Sequence, residues 1–361
     1  MVLGAGLMAG GLAVARRIDR TDPSGRPGRA LELPPRIDVH HHAMPGAVRS
    51  WLAAADWPPG FERPLFAPWS VRDTLTALDQ HGTELAVLST PIPAALTPTI
   101  AHTSELARLV NDSLHGIATD HPTRFGWLAR VPLLDVDDAL AEINRVYDQL
   151  HPDGVLLTTH DGDHLLGDPT FDPVMAALHA RNAVVLVHPD APPDLYPGSL
   201  PPFVVDEPTD ITRAAVSLTM SGTLDRYPAI RWILAYSGGA FPYLAGRLTA
   251  GRGLGYGADP ATVRAAVQRF SYDTAGPMSP YATPTLLTAT ATATGAGAGA
   301  GAGAILYGSD SHAVPPATVA DGLAQLCADP ALDAVTGAAI ARSNALRLFP
   351  TLHRRLTQTR P

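Results

Sequence analysis

A single cysteine, Cys327, in 361 residues leaves no partner for an internal disulfide and excludes a zinc site built from thiolates. Charged residues are few, at 17% against 46% hydrophobic, which excludes a solvated, self-repelling chain and suits a large buried core. Basic residues are outnumbered 26 to 34 by acidic ones and form no stripe, so nucleic acid is not an expected partner. No run approaches 18 consecutive strongly apolar residues, so no membrane span is expected. The length fits either two average domains or one large barrel.

Residues 1–35 differ from the rest and read as an N-terminal tail. Residues 2–15 are small and apolar and end in Ala13-Val14-Ala15 before Arg16-Arg17, like the end of a secretory signal, although the positively charged start of one is missing. A cytoplasmic location is therefore the expectation, with export as the alternative. Gly4-Ala5-Gly6-Leu7-Met8-Ala9 matches a dinucleotide fingerprint, but that motif needs a preceding strand and a βαβ unit, and neither is present.

From residue 36 onward, short apolar runs alternate with amphipathic helical stretches. The runs are 36–42, 84–90, 124–133, 153–160, 183–189, 230–238, 269–276 and 304–312. Continuous apolarity bounded by turn residues is the mark of parallel strands covered on both faces. Helical patterns at 71–81, 104–121, 136–150 and 172–181 separate several of them. Eight such alternations predict one (β/α)8 TIM barrel over 36–361, rather than a doubly wound open sheet. Residues 288–304, a Thr-Ala and Gly-Ala repeat, are a poor helix because each glycine costs about 1 kcal/mol relative to alanine, and read as a surface loop. The proline-rich stretch 193–209, with Asp206 and Glu207, reads as a long loop over the mouth.

Polar residues close several runs: His40 and His42, Thr158 to His160, His188, Tyr236, Asp273 and Asp310. In such barrels the strands' C-terminal ends converge on the active site. His40 and His42, at i and i+2, share a face about 7 Å apart along the strand, with Asp38 on that face one layer deeper and His41 turned away. Each motif also has a plainer explanation, since a strand-end histidine is often structural and Asp310 could cap a turn. Strand eight adjoins strand one, however, so Asp310, His40, His42 and His188 are expected at one mouth, as ligands of a divalent ion. Zinc suits this set best, and manganese or iron would also accept it.

The order and spacing of RIDVHHHAMP (36–45), LGDPTFDPVMAALHARNAVVLVHP (166–189), SGTLDRYPAIRWILAYSGGAFPYLAGRL (221–248), YDTA (272–275) and YGSDS (307–311) resemble the amidohydrolase-related family. The resemblance runs from about residue 36 to 350 and is to the branch holding aminocarboxymuconate semialdehyde decarboxylase and salicylate-type decarboxylases, 6-methylsalicylate decarboxylases above all. It implies metal ligation by His40, His42, His188 and Asp310. It also implies a substrate-binding arginine at Arg247, which in some relatives reaches the neighbouring subunit of a homodimer.

One position departs from the family. Tyr236 stands where strand six normally ends in a histidine that acts as a base or polarises substrate. A phenol with an ordinary pKa near 10 is a poor base at neutral pH, and losing the base should slow hydrolysis by roughly 10²–10⁴-fold. Non-oxidative decarboxylation of a small aromatic or unsaturated carboxylic acid demands less of that position. It is the expected reaction, with Asp310 as proton donor and Tyr236 as a hydrogen-bond donor. The alternatives are hydrolysis of an amide or lactone, and a barrel that has lost the family chemistry. Ser237 lacks the G-x-S-x-G context of a nucleophile. Trp51, Trp57, Phe61 and Trp69 read as packing residues near the mouth, and His160, His164 and His312 as polar residues near strand ends.

Overall fold

Val184–His188, a wholly buried strand of four aliphatic residues ending in histidine, is typical of the sheet at the centre of this protein. The structure, a computed structural model, describes residues 30–54, 68–92, 100–190, 202–276, 280–291 and 304–358. The signal-like segment, the dinucleotide-like motif, Trp57, Phe61, residues 193–201 of the proline-rich stretch and most of the Gly-Ala repeat lie outside the described residues.

Eight parallel strands run in chain order around the sheet: β1 (Arg36–His42), β2 (Thr83–Ser89), β3 (Phe125–Arg130), β4 (Gly154–Thr158), β5 (Val184–His188), β6 (Arg231–Leu234), β7 (Ser271–Asp273) and β8 (Ile305–Leu306). Neighbouring strands pair in parallel, with Thr158 beside His188 and Leu234 beside Tyr272, and β1 shifts register against β2. The sheet closes where Val39 N–H donates to Tyr307 O at 2.9 Å and Asp310 N–H donates to His40 O at 3.0 Å. That closure bears out the barrel and excludes the open sheet. Ile37, Val39, Leu85, Leu128, Val185 and Ile233 lie in one continuous apolar core.

Six predicted strands are shorter than their apolar runs, and in two of them the local reason is plain. The run 230–238 leaves the sheet after Leu234, because Tyr236, Ser237, Gly238 and Gly239 all have positive φ. The run 153–160 ends at Thr158, and His160–Asp161 instead pairs antiparallel with His164–Leu165. The runs 269–276 and 304–312 keep three and two residues in the ladder. The helical stretch 136–150 opens at an Asp135 cap and is α-helical to Arg145, then continues as a π-helical turn over Val146–Leu150. The helix Val71–His81 has the predicted limits, with a Ser70 side-chain cap and a left-handed Gly82 at its end.

The two ends of the barrel differ. At the N-terminal end, Arg355 of the last helix pairs with Asp153 at 3.0 Å just before β4, and a Cβ on Gly126 would meet Leu352 at 2.8 Å. That floor is packed shut, which leaves the C-terminal strand ends to form the site.

Candidate metal centre

His40 and His42 are buried at the end of β1, and their Nε2 atoms stand 3.1 Å apart. Two imidazole nitrogens bound to one ion at about 2.1 Å lie about 3.1–3.4 Å apart for angles between ~95° and tetrahedral, so the spacing fits joint ligation. His188 faces them from β5, its ring 5.2 Å from His40 and 5.1 Å from His42, centroid to centroid. One nitrogen from each of the three histidines falls within 4.8 Å of the others. Asp310, buried beyond β8, brings Oδ1 to 3.0 Å from His42 Nε2 and 3.5 Å from His40 Nε2.

The outer ring nitrogens are committed elsewhere. His188 Nδ1–H donates to Pro189 O at 2.8 Å, which leaves Nε2 with a lone pair, buried and without a hydrogen-bond partner. His40 Nδ1 bonds Asp273 Oδ2 at 2.7 Å, and His42 Nδ1 bonds Ser89 Oγ at 3.2 Å. An orphaned imidazole nitrogen aimed at two more is costly unless a Lewis acid takes the lone pairs. The donor set therefore fits a divalent ion, with histidine tautomers fixed by the partners behind them.

The electrostatics agree. Burial and the neighbouring imidazoles push His42 and His188 well below the ordinary histidine range, so both are neutral. Burial also disfavours charge on His40, but Asp273, Asp310 and Asp38 outweigh it and hold the ring up at about 9. A divalent cation would compete with that proton for the same carboxylates. Burial likewise raises the Asp310 carboxyl, against the pull of His40 and His188.

Tyr236 lies against this cluster, its ring stacked 5.7 Å from His40 and its hydroxyl donating to Asp310 Oδ2 at 3.3 Å. Burial, then the Asp310 and Glu207 carboxylates, push its phenol far up, so Tyr236 serves as a donor rather than a base. Its positive φ, shared with Ser237 and Asp310, is an uncommon conformation for non-glycine residues and concentrates backbone strain at this mouth.

One expected placement fails. Strand alternation predicts Asp38 on the His40–His42 face, but a register irregularity in β1 between Asp38 and His41 breaks the alternation. Asp38 bonds the His41 ring at 2.9 Å and the Ser309 backbone N–H at 3.0 Å instead. Arg247 is exposed on the helix Phe241–Ala250, a placement open to a neighbouring subunit. His164 pairs with Asp168 at 3.1 Å on the surface, and Trp51 packs edge-on to His102. One contributor carries no sequence role, Ser89, whereas Asp273 is among the strand-ending polar residues and Glu207, which approaches the Tyr236 hydroxyl, belongs to the stretch expected over the mouth. Ser89 closes an apolar strand, the same signal that marks Asp273.

The family model described as amidohydrolase matches residues 37–351. A decarboxylase of Penicillium terrestre is 34% identical over 226 residues, covering 59% of this chain and 66% of the relative. A 6-methylsalicylic acid decarboxylase of Aspergillus aculeatus is 38% identical over 221 residues, covering 59% and 66%. The match thus spans just under two thirds of both curated relatives. Among solved structures, a dihydroxybenzoic acid decarboxylase from Polaromonas sp., with bound manganese and an inhibitor, superposes with a TM-score of 0.71 at 21% identity, covering 88% of this chain and 97% of that one. At that identity the likeness shows the barrel fold.

Proposed function

Because the chain belongs to the amidohydrolase family, we propose that it is a metal-dependent, non-oxidative decarboxylase of a small hydroxylated aromatic acid of the salicylate type. The observation that carries this reading is the convergence of His40, His42, the partnerless Nε2 of His188 and Asp310 on one point beside a phenol that cannot act as a base. The two relatives, both decarboxylases, favour the same reaction class.

The four residues would hold one divalent ion, zinc by ligand preference, with manganese supported by the bound ion of the structural neighbour. When bound, the ion supplies Lewis-acid polarisation and a template for the acid's oxygens. Asp310 delivers a proton to the ring carbon that carries the carboxylate. The carbon–carbon bond then breaks, its electron pair restores the aromatic ring, and CO₂ leaves. Tyr236 donates to Asp310 Oδ2 and so directs that carboxyl. Asp273 fixes the His40 tautomer, and burial of the cluster excludes bulk water.

Arg247 is a substrate contact for a second copy of the chain. It lies on an exposed helix beside Tyr243, which is 80% exposed, and is followed by Leu254 at 71%, apolar surface that suits a homodimer face. Among the described residues no helix is long and apolar enough to cross a membrane. One cysteine and no internal disulfide suit the reducing cytoplasm.

The direct test is to incubate the metal-loaded chain with 6-methylsalicylate and to quantify CO₂ and 3-methylphenol. Equal amounts of both products support the reading. Turnover of an amide or lactone without CO₂ release points to the hydrolase alternative, and inertness to both substrate classes points to lost chemistry.

A further inference from the structure

Arg130 closes β3, is 6% exposed, and has only one side-chain partner among the described residues, the carbonyl of Ile92 at 2.9 Å from Nη2. Its Nε and Nη1 are buried with no hydrogen-bond partner among the described residues. A guanidinium stays charged in proteins, and burying one with donors unused is expensive. Burial works against its charge here, and Asp190 and Asp161 offset this from a distance without forming an ion pair with it.

The position is held firmly. Asn111, fully buried, takes the Arg130 backbone from both sides: its Oδ1 accepts from Arg130 N–H at 2.8 Å and its Nδ2 donates to Arg130 O at 3.0 Å. Glu142 in turn fixes the Asn111 amide at 2.7 Å. The head group lies near the mouth, since Ile92 follows β2, Asp161 follows β4, and Asp190 is two residues past His188. In an eight-strand barrel β3 stands opposite β7, so Arg130 occupies the wall across from Asp273 and the neighbouring Asp310.

We infer that Arg130 is a substrate-anchoring residue whose free donors take a ring hydroxyl oxygen of the aromatic acid. This rests on the decarboxylase reading and assigns the ring hydroxyl of that substrate class a specific partner. The leaving carboxylate is the poorer partner. It becomes neutral CO₂, so a charge-assisted bond to it would stabilise the ground state more than the transition state and slow the step. A ring hydroxyl oxygen is not lost in the reaction, so it can keep its bond to Arg130 from bound acid to phenol product.

The test is calorimetric binding of 2-hydroxybenzoate and benzoate to the metal-loaded wild type, Arg130→Met and Arg130→Lys, with thermal melts alongside. In wild type the hydroxyl should tighten binding about 10-fold or more, the range for a hydrogen bond to a charged group. Arg130→Met should erase that preference and leave benzoate within about threefold of wild type, and Arg130→Lys should restore part of it. Equal weakening of both acids with a lowered melting temperature marks a purely structural arginine and overturns the inference. So does an unchanged preference in either variant, and if Arg130→Met does not fold, Arg130→Lys alone decides. A wild type that discriminates the acids through Arg130 yet releases no CO₂ keeps the anchor and removes the decarboxylase reading.

Discussion

Asp273 divides its two oxygens between neighbours at the mouth, with Oδ2 on His40 Nδ1 and Oδ1 accepting from the backbone N–H groups of Tyr236 and Ala275. One carboxylate thus sets the tautomer of a proposed ligand and the left-handed backbone of the residue that replaces the family histidine. Asp273→Asn removes the charge but keeps the shape. Divalent-metal titration of this variant should give an affinity about 10–100-fold weaker than wild type, with the fold retained. An unchanged affinity would mean that Asp273 serves only Tyr236. This pairing was hidden in the sequence because its partners lie 233 residues apart. The unused donors of Arg130 were hidden for another reason, since whether a buried group is satisfied depends on every neighbour at once. His40 and His42 were legible because i and i+2 share a face in any regular strand.

At the scale of elements, the ends of β1, β5 and β8 do the assembling, and their approach depends on a small residue between them. A Cβ on Gly308 would meet His40 Cβ at 2.8 Å and Asp273 Cβ at 3.1 Å. Gly308→Ala should therefore spread β8 from β1 and β7, destabilise the protein by about 1–3 kcal/mol and weaken metal binding. Gly46→Ala, where nothing lies within 4 Å, should change neither quantity. Paired denaturant melts and metal titrations compare the two, and equal behaviour would contradict the packing argument. The eight strands were readable because parallel strands buried on both faces leave unbroken apolar runs. Their ends were less so: β6 stops at Leu234 because four consecutive positive φ angles follow, and apolarity carries no record of φ.

For the whole molecule, closure of the sheet between Val39 and Tyr307 turns eight separate strand ends into one mouth, with an acidic, metal-suited wall and a buried arginine across from it. Closure was predictable from eight alternations of strand and helix. The departure at Tyr236 was visible too, but its consequence needed the structure, because the phenol's upward shift comes from burial and from carboxylates on other strands. The chemistry of the mouth depends on the ion. Elemental analysis of the purified wild type, grown with zinc and manganese, beside a His40→Ala/Asp310→Ala double variant tests it most directly. About one divalent ion per chain in wild type and almost none in the variant is the expected result. A wild type that is metal-free after that growth, or a variant that keeps its ion, would contradict the metal centre and the decarboxylase built on it.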